Sequence, residues 1–598
     1  MLTRPAGLAP PTRAPSRPIS VLVTLALAIA LVPALPPAAA PAGAAPPAPP
    51  SAPAARSIVA AMQPGWGMGN TYDAIGADET AWGNPPVTRA LLKKVRSEGF
   101  KSIRIPVTWE GRQGGAPDYP IDPAWFAKVR QSVDWALAEG LYVMLNLHHD
   151  SWMWINQYPT NRDAVLARYT ATWTQLATTF RDYSDRLTFE SINEPTFSGT
   201  SGDEQNYPLL HELNAEFHRI VRGSGGANAK RLLVLPTLYT NADQPRLDAL
   251  AASLTELADP MVATTIHFYG FWPFSVNIAN FTRFDERSVE DLTGTFDRVH
   301  TTFVANGIPV IMGEYALFGI DPNFPGIVER GEMRKFFEYL GYYARLRKVT
   351  TVLWDAGQFL NRRTLEWRDP ELFAQIKSSW TTRSGTAATD LVFNSRSSEI
   401  TSKTLTINEN GTDFQGLRYG DRNLVKGKDY TLSGDQLTLT AAILTELVGD
   451  REYGANATLR ARFSRGVPWR IDVITHDTPI LSDATATTTD CDPDPWRDCL
   501  AIPTDFRGDV LSTMEARYDD GSNAGPANWT AYQQYGAAFW ADLPNGAINL
   551  TPGFVNSLND GARVTLTFHF WSGATATYHV TKSGDAITGT ATLANGES

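Results

Sequence analysis

Leu187-Thr188-Phe189-Glu190-Ser191-Ile192-Asn193-Glu194-Pro195 is a short β-rich run, apolar at its start and polar at its C-terminal end. Seven further runs of this kind occur, at 67–73, 102–109, 142–149, 231–238, 262–269, 309–315 and 350–355. Between them lie amphipathic segments with apolar residues at helical spacing, such as 88–98, 123–139, 164–183, 289–306 and 332–347. Short strands alternating with longer helices mark βα units and a parallel sheet. Eight such units predict a closed (β/α)8 TIM barrel, here over 57–382. A doubly wound sheet usually has fewer strands and a Gly-rich nucleotide turn, which this chain lacks.

A barrel of this kind builds its site at the C-terminal ends of the strands, and polar residues gather at those ends here. They are Arg104, Asn146-Leu147-His148-His149-Asp150, Asn193-Glu194-Pro195, His267 with Tyr269, Glu314-Tyr315, and Trp354. Surface solvation explains such a one-ended distribution poorly; a ligand at that end explains it well. Glu194 and Glu314 fall on the fourth and seventh runs, across one barrel mouth. Paired carboxyl groups flanking a bond are what glycoside hydrolysis needs, one to protonate the leaving oxygen and one to attack or to activate water. Two structural glutamates pairing with Arg104 are the plainer alternative, and the company of Asn193, His267, Tyr269 and Trp354 favours chemistry.

The chain resembles glycoside hydrolase family 5, and within it the subfamily 4 endo-β-1,4-glucanases and xyloglucanases. The resemblance is carried by Gly69-Asn70-Thr71 with Asp73, Thr80-Ala81-Trp82-Gly83-Asn84-Pro85, Arg104-Ile105-Pro106-Val107-Thr108-Trp109, Asn146-Leu147-His148-His149, Asn193-Glu194-Pro195, His267-Phe268-Tyr269, Gly313-Glu314-Tyr315 and Trp354. It implies that Glu194 is the acid/base and Glu314 the nucleophile of a retaining mechanism, with carboxyl groups about 5 to 5.5 Å apart. On that footing Arg104 keeps Glu314 ionised, while burial and the charge of Glu314 keep a proton on Glu194. Asn193 bonds the sugar 2-hydroxyl, Tyr269 orients Glu314, His267 lies beside Glu194, Trp354 forms a platform under the sugar, and Asn70 and Trp82 join the substrate-binding set.

His148 and His149 next to Asp150 invite a metal, but neighbouring strand side chains point to opposite faces, so only one faces the mouth unless the backbone bends. His148 shares its face with Asn146 and matches the family's site histidine, and His149 is a second candidate for substrate contact. No metal or cofactor is expected. Trp82, Trp152, Trp154, Trp272 and Trp367 follow strands and are candidates for stacking on sugar rings, whereas Trp125, Trp135 and Trp173 lie in helical patterns and should pack against the barrel.

After Trp380 helical periodicity fades and turn residues recur, the pattern of sandwich domains. Two all-β modules are expected, at 388–478 and 479–598. The first resembles the immunoglobulin-like X2 module and reads as a spacer. The second resembles a family 46 carbohydrate-binding module. There Trp529, after a Gly/Pro turn, is the leading candidate for glycan contact, Trp540 is as suited to the core as to a ligand, and Trp571 is a candidate for exposure.

The composition agrees with this organisation. Of 598 residues 43% are hydrophobic and 19% charged, which excludes wholesale disorder. A net charge of −11 leaves no basic footprint for nucleic acid. The 17 Trp, 20 Tyr and 27 Phe exceed what cores usually need and suit the flat faces of sugars. Residues 1–45 carry Arg4, Arg13 and Arg17 before an apolar run too short to span a bilayer, the form of a removable export signal. Export makes a Cys491–Cys499 disulfide the expected state of the only two cysteines. These readings converge on a secreted, monomeric endo-β-1,4-glucanase acting on plant cell-wall β-glucan, xyloglucan and mixed-linkage glucan, with no nucleic-acid partner and no membrane attachment after signal removal. The alternatives are a mannanase or xylanase of the same fold, or a noncatalytic glycan-binding protein.

Overall fold

A computed structural model describes residues 53–322, 324–494 and 497–592. The export signal expected over 1–45 lies outside the described residues. Eight parallel strands close a barrel in sequence order: β1 (Gly65–Met68), β2 (Ser102–Ile105), β3 (Tyr142–Asn146), β4 (Leu187–Glu190), β5 (Leu233–Pro236), β6 (Val262–Phe268), β7 (Val310–Tyr315) and β8 (Thr350–Asp355). β1 pairs with β2 on one side and β8 on the other, with Gly67 opposite both Arg104 and Trp354. The TIM barrel followed by all-β sheets is thus the architecture.

The strands are shorter than their apolar runs. Val107, Trp109, Leu147 and Ile192 lie past the last ladder bonds of β2, β3 and β4 yet are fully buried, so hydrophobicity continues into the turns that build the barrel mouth. The intervening helices bury one stripe each. Leu91, Leu92 and Val95 are the buried side of Arg89–Ser97, whose first turn is capped by the Thr88 hydroxyl. Trp125 and Trp173 are buried as expected, but Trp135 is only half-buried. The N-terminal helix Pro53–Ala61 packs Ala55 and Val59 against Met144, Val234, Ala263, Ile311 and Val352 from β3 and β5 to β8.

The described residues pack as two compact units. One takes those up to 267 with 298–314 and 350–366, and the other takes 268–297, 315–349 and those from 367 onward. In the second unit, two pairs of β-sheets follow the barrel. The first pair has four and five strands around a core that includes Leu437, Leu459, Trp469 and Ile471, and the second pair again has four and five. Helical structure persists there against expectation: Ala441–Val448, capped by Thr440, buries Ile443, Leu444, Leu447 and Val448 against the first module. A short apolar run inside a strand-rich region carries no periodicity that separates helix from strand.

The last module shows the expected alternation, with Val564, Leu566, Phe568 and Phe570 buried along Arg563–Phe570. Trp571, just past that strand, is partly covered by the Arg283 guanidinium, 4.8 Å from its ring. The segment after β6 belongs to the same unit: Asn277 Nδ2 donates to the carbonyls of Ile327 and Ser512, both at 2.8 Å, and Asn277 O accepts from Tyr535 N at 3.0 Å. Cys491 and Cys499 are joined through their sulfurs. No helix among the described residues is long and apolar enough to cross a membrane.

Candidate active site

The charged centre of the barrel mouth is Arg104, fully buried on β2. Its guanidinium is shared three ways: Nε donates to Glu190 Oε2 at 2.8 Å, one terminal nitrogen to Glu314 Oε1 at 2.6 Å, and the other to Asn193 Oδ1 at 2.7 Å. Burial disfavours the cation, but the carboxylates of Glu190 and Glu314 outweigh it and push the Arg104 pKa above that of a free arginine. Asn146 Nδ2 donates to the same Glu190 oxygen at 2.8 Å, so Glu190 is a hub beneath the site.

β4 ends at Glu190, and the following turn lifts Asn193 and Glu194 to the mouth. Asn193 N donates to Leu147 O at 2.8 Å, tying this turn to the one after β3. Glu194 adopts a φ of 41°, a left-handed conformation that costs a non-glycine residue energy and is held by its surroundings. His267 on β6 faces both carboxyl groups, with Nδ1 2.8 Å from Glu194 Oε1 and 3.5 Å from Glu314 Oε2. One oxygen of each carboxyl group and a ring nitrogen of His267 lie within 4.8 Å of one another.

The electrostatics of Glu194 differ from the sequence expectation. Its burial does favour the neutral acid, but the hydrogen bond and charge of His267, with His149 and Arg104, prevail and hold its pKa below the ordinary glutamate value. Its side chain is 45% exposed, against 5% for Glu314.

Both histidines after β3 come to the site, because the backbone leaves the strand at Asn146 and turns into the helix Asp150–Met153. Their ring centroids lie 4.5 Å apart. The alternation that was to exclude one of them therefore does not apply. His148 is buried and stacks on Trp354, with centroids 5.7 Å apart and planes 10° from parallel. Its Nδ1 lies 3.2 Å from Asn146 Nδ2, and its Nε2 lies 4.0 Å from Glu314 Oε1. His149 Nδ1 accepts from Trp152 Nε1 at 3.0 Å, and its Nε2 is 3.9 Å from Asp73 Oδ2.

Asp73, His148 and His149 gather potential ligand atoms, as do Glu194, His267 and Glu314. With amide and indole N–H groups directed at both Nδ1 atoms, each neutral ring of the pair carries its proton on Nε2. That makes a donor, not the lone pair a metal takes. Burial lowers the pKa of both rings, that of His149 to about 4. Burial likewise raises Asp73 to about 6, although it accepts the backbone N–H groups of Asn70 and Thr71.

Asn70 is buried at the end of β1 with a φ of 52°, and its carbonyl accepts from Asn84 Nδ2 at 2.9 Å. Trp354 is half-buried and lies over β1. A Cβ on Gly69 would come within 2.4 Å of its indole, so glycine is required there for the ring to seat. Trp82 is half-buried, its ring 5.3 Å from that of His149. Tyr269, just past β6, stacks on Phe318 at 4.4 Å.

Two of the loop tryptophans are engaged in packing. Trp154 is buried, donates to Asp150 Oδ1 at 2.7 Å and lies under Arg168, and Trp367 stacks on Phe373 at 3.5 Å. Trp272 is 42% and Trp529 59% exposed. Trp540 is half-buried against Phe324. Glu190 is the site residue that sequence reasoning missed; its only signal was an acid at the end of β4, four residues before Glu194, in a position that is fully buried.

Comparison with known proteins gives the chain a family. The family model for Cellulase (glycosyl hydrolase family 5) matches residues 68–359, that for Carbohydrate binding domain X2 matches 386–473, and that for a Carbohydrate binding domain of the CBM46 type matches 477–590. Endoglucanase B of Paenibacillus lautus is 47% identical over 90% of this chain and 94% of its own. Among solved structures, the tri-modular endo-β-1,4-glucanase B of Bacillus halodurans is 46% identical, with a TM-score of 0.86 over 90% of this chain and 99% of that one. A tri-modular family 5, subfamily 4 endo-β-1,4-glucanase of Bacillus licheniformis, complexed with cellotetraose, is 29% identical with a TM-score of 0.77, covering 88% of this chain and 99% of that one.

Proposed function

Because the chain belongs to glycoside hydrolase family 5 and is an endo-β-1,4-glucanase of its subfamily 4, we propose that it cuts soluble β-glucans by double displacement, with Glu314 as nucleophile and Glu194 as acid/base. The observation that carries this reading is the approach of Glu194, Glu314 and His267 to within 4.8 Å. So close an approach suits the retaining class, whose carboxyl groups lie about 5 to 5.5 Å apart, better than the inverting class at about 6.5 to 9.5 Å, and it supports attack by a carboxylate with a glycosyl-enzyme intermediate.

Arg104 donates to Glu314 and favours its ionised, nucleophilic form. Glu194 shares a proton with His267 across the 2.8 Å contact. A sugar ring seated over both excludes water and raises the cost of separated charge, which moves that proton onto Glu194, next to the leaving oxygen. Asn193, fixed by Arg104, is placed to bond the 2-hydroxyl, and Trp354, backed by His148, offers an apolar face to the ring.

The substrate range we propose includes xyloglucan and mixed-linkage glucan besides unbranched β-1,4-glucan. The enzyme acts outside the cell as a monomer, after removal of the leader at residues 1–45. Product analysis on soluble β-1,4-glucan, mixed-linkage glucan, xyloglucan, mannan and xylan tests this. Rapid release of mixed oligosaccharides from the first three is expected; preferential cutting of mannan or xylan would overturn it, and retention of glycan without cutting would favour a binding protein.

Trp529 is assigned a glycan contact in the C-terminal module, because its indole, after a Gly/Pro turn, is 59% exposed and offers a flat apolar face to solvent. Trp529→Ala should weaken the retention of soluble β-glucan in affinity electrophoresis about tenfold. Unchanged retention and unchanged polymer hydrolysis would remove the assignment.

A further inference from the structure

Three buried polar atoms under the mouth have no hydrogen-bond partner among the described residues: Glu190 Oε1, Thr265 Oγ1 and His267 Nε2. All three lie around Gly313. A Cβ built there would lie 2.7 Å from Thr265 Oγ1, 3.2 Å from His267 Nε2 and 3.5 Å from Glu190 Oε1. A buried polar group left unpaired is costly, and three such groups gathered around one glycine call for a shared hydrogen-bonding partner. A side chain at 313 would press against them, and glycine leaves the space between them unfilled by protein.

We propose that Glu190, Thr265 and His267 bind a buried water molecule beside Gly313, and that this water sets the protonation of the Glu194–His267 pair. The water accepts from His267 Nε2–H and from the Thr265 hydroxyl and donates to Glu190 Oε1, three bonds being usual for a buried water. Glu190 keeps its other oxygen on Arg104 and Asn146, so it presents Oε1 as a fixed acceptor. With Nε2 held protonated, the one exchangeable proton of the pair lies between His267 Nδ1 and Glu194 Oε1. That proton is the one passed to the leaving oxygen; Nε2–H stays in place throughout.

The groups facing His267 agree on this polarity. Glu194 and Glu314 lie on its Nδ1 side and Glu190 on its Nε2 side. Arg104 is engaged by both Glu190 and Glu314, and His148 and His149 lie beyond, each with its pKa lowered by burial. Thr265 is thus a positioning residue acting through His267, and the inference rests on the acid/base role proposed for Glu194.

The test pairs crystallography with pH profiles of kcat/KM on soluble β-1,4-glucan. A high-resolution structure of the wild-type protein should show a water within hydrogen-bond reach of all three atoms. Thr265→Val removes one of its partners without changing shape. Its alkaline limb should fall by about half a pH unit, because a weaker hold on Nε2–H lets the shared proton leave sooner. Thr265→Ser should restore the limb. Gly313→Ala fills the site and should lower kcat about tenfold or more and move the limb further down; should it fail to fold, the Thr265 pair carries the test alone. An unoccupied site in the crystal, or a Thr265→Val limb that coincides with wild type, overturns the inference and leaves the glucanase reading intact. A wild-type protein that binds but does not cut the glucan defeats the glucanase reading, while the crystallographic arm still decides whether the water is bound.

Discussion

Glu314→Ala is expected to reduce hydrolysis of soluble β-1,4-glucan by a factor on the order of 10^5, close to complete loss, because without the carboxylate there is no attacking group. Arg104 and His267 would remain around a cavity of carboxylate size. A small anion such as azide can enter it, attracted by the Arg104 guanidinium, and attack the anomeric carbon directly. Direct attack is a single displacement, so the glycosyl azide should have inverted configuration.

Glu194→Ala should behave differently. Loss of the proton donor costs about 10² to 10⁴ on the polymer, yet little on an aryl glycoside whose leaving group departs without protonation. Azide would then intercept the glycosyl-enzyme and give a product of retained configuration. Proton NMR of the two azide adducts separates the roles. Retained product from Glu314→Ala, or several per cent of wild-type activity on polymer, would reverse or abolish the assignment.

The barrel was legible because its strands are buried on both faces and its polar residues collect at one end. That pattern survives without any ladder information. The ends of the strands were not legible, since Val107, Leu147 and Ile192 continue the apolar character into the turns and are as buried there as residues of the sheet. The same overrun hid the geometry of the histidines. A strand reaching residue 149 would have parted His148 from His149, whereas the turn after Asn146 brings them edge to face. Trp154 was misplaced for a related reason: the short helix after the turn directs it inward onto Asp150.

Glu190 and Gly313 were illegible in another sense. An acid at the end of a strand, between Phe189 and Ser191, reads as the start of the polar mouth and not as its support, and a glycine carries no chemistry of its own. Their importance lies in what faces them across the barrel, a relation between residues far apart in sequence that no local pattern encodes.

Arg104→Met should show the second large effect, and it separates the scaffolding of the site from its chemistry. The substitution conserves an apolar stem but removes the cation bonded to both Glu190 and Glu314, leaving two buried carboxyl groups without their shared counter-charge. Removal of one partner from a buried ion pair costs about 3 to 5 kcal/mol. The loss has a definite pH dependence. In the variant each carboxyl group can relieve the cost by taking up a proton, so its folded-state pKa rises above the unfolded value of about 4.3. Stability is then kept below that value and lost as pH rises through the raised one. Denaturation of wild type and variant should therefore nearly converge near pH 4 and diverge steadily toward pH 8.

Activity should move with it. A protonated Glu314 cannot attack, so the acidic limb of kcat/KM should shift upward by about one to three pH units, and Asn193, released from Arg104, should raise KM less than kcat falls. Arg104→Lys restores the charge but not the planar fork that reaches three acceptors at once. It should recover most of the acidic limb and only part of the stability. A Met variant whose denaturation midpoint at pH 8 and acidic limb both match wild type would show that Glu314 owes neither its position nor its charge to Arg104.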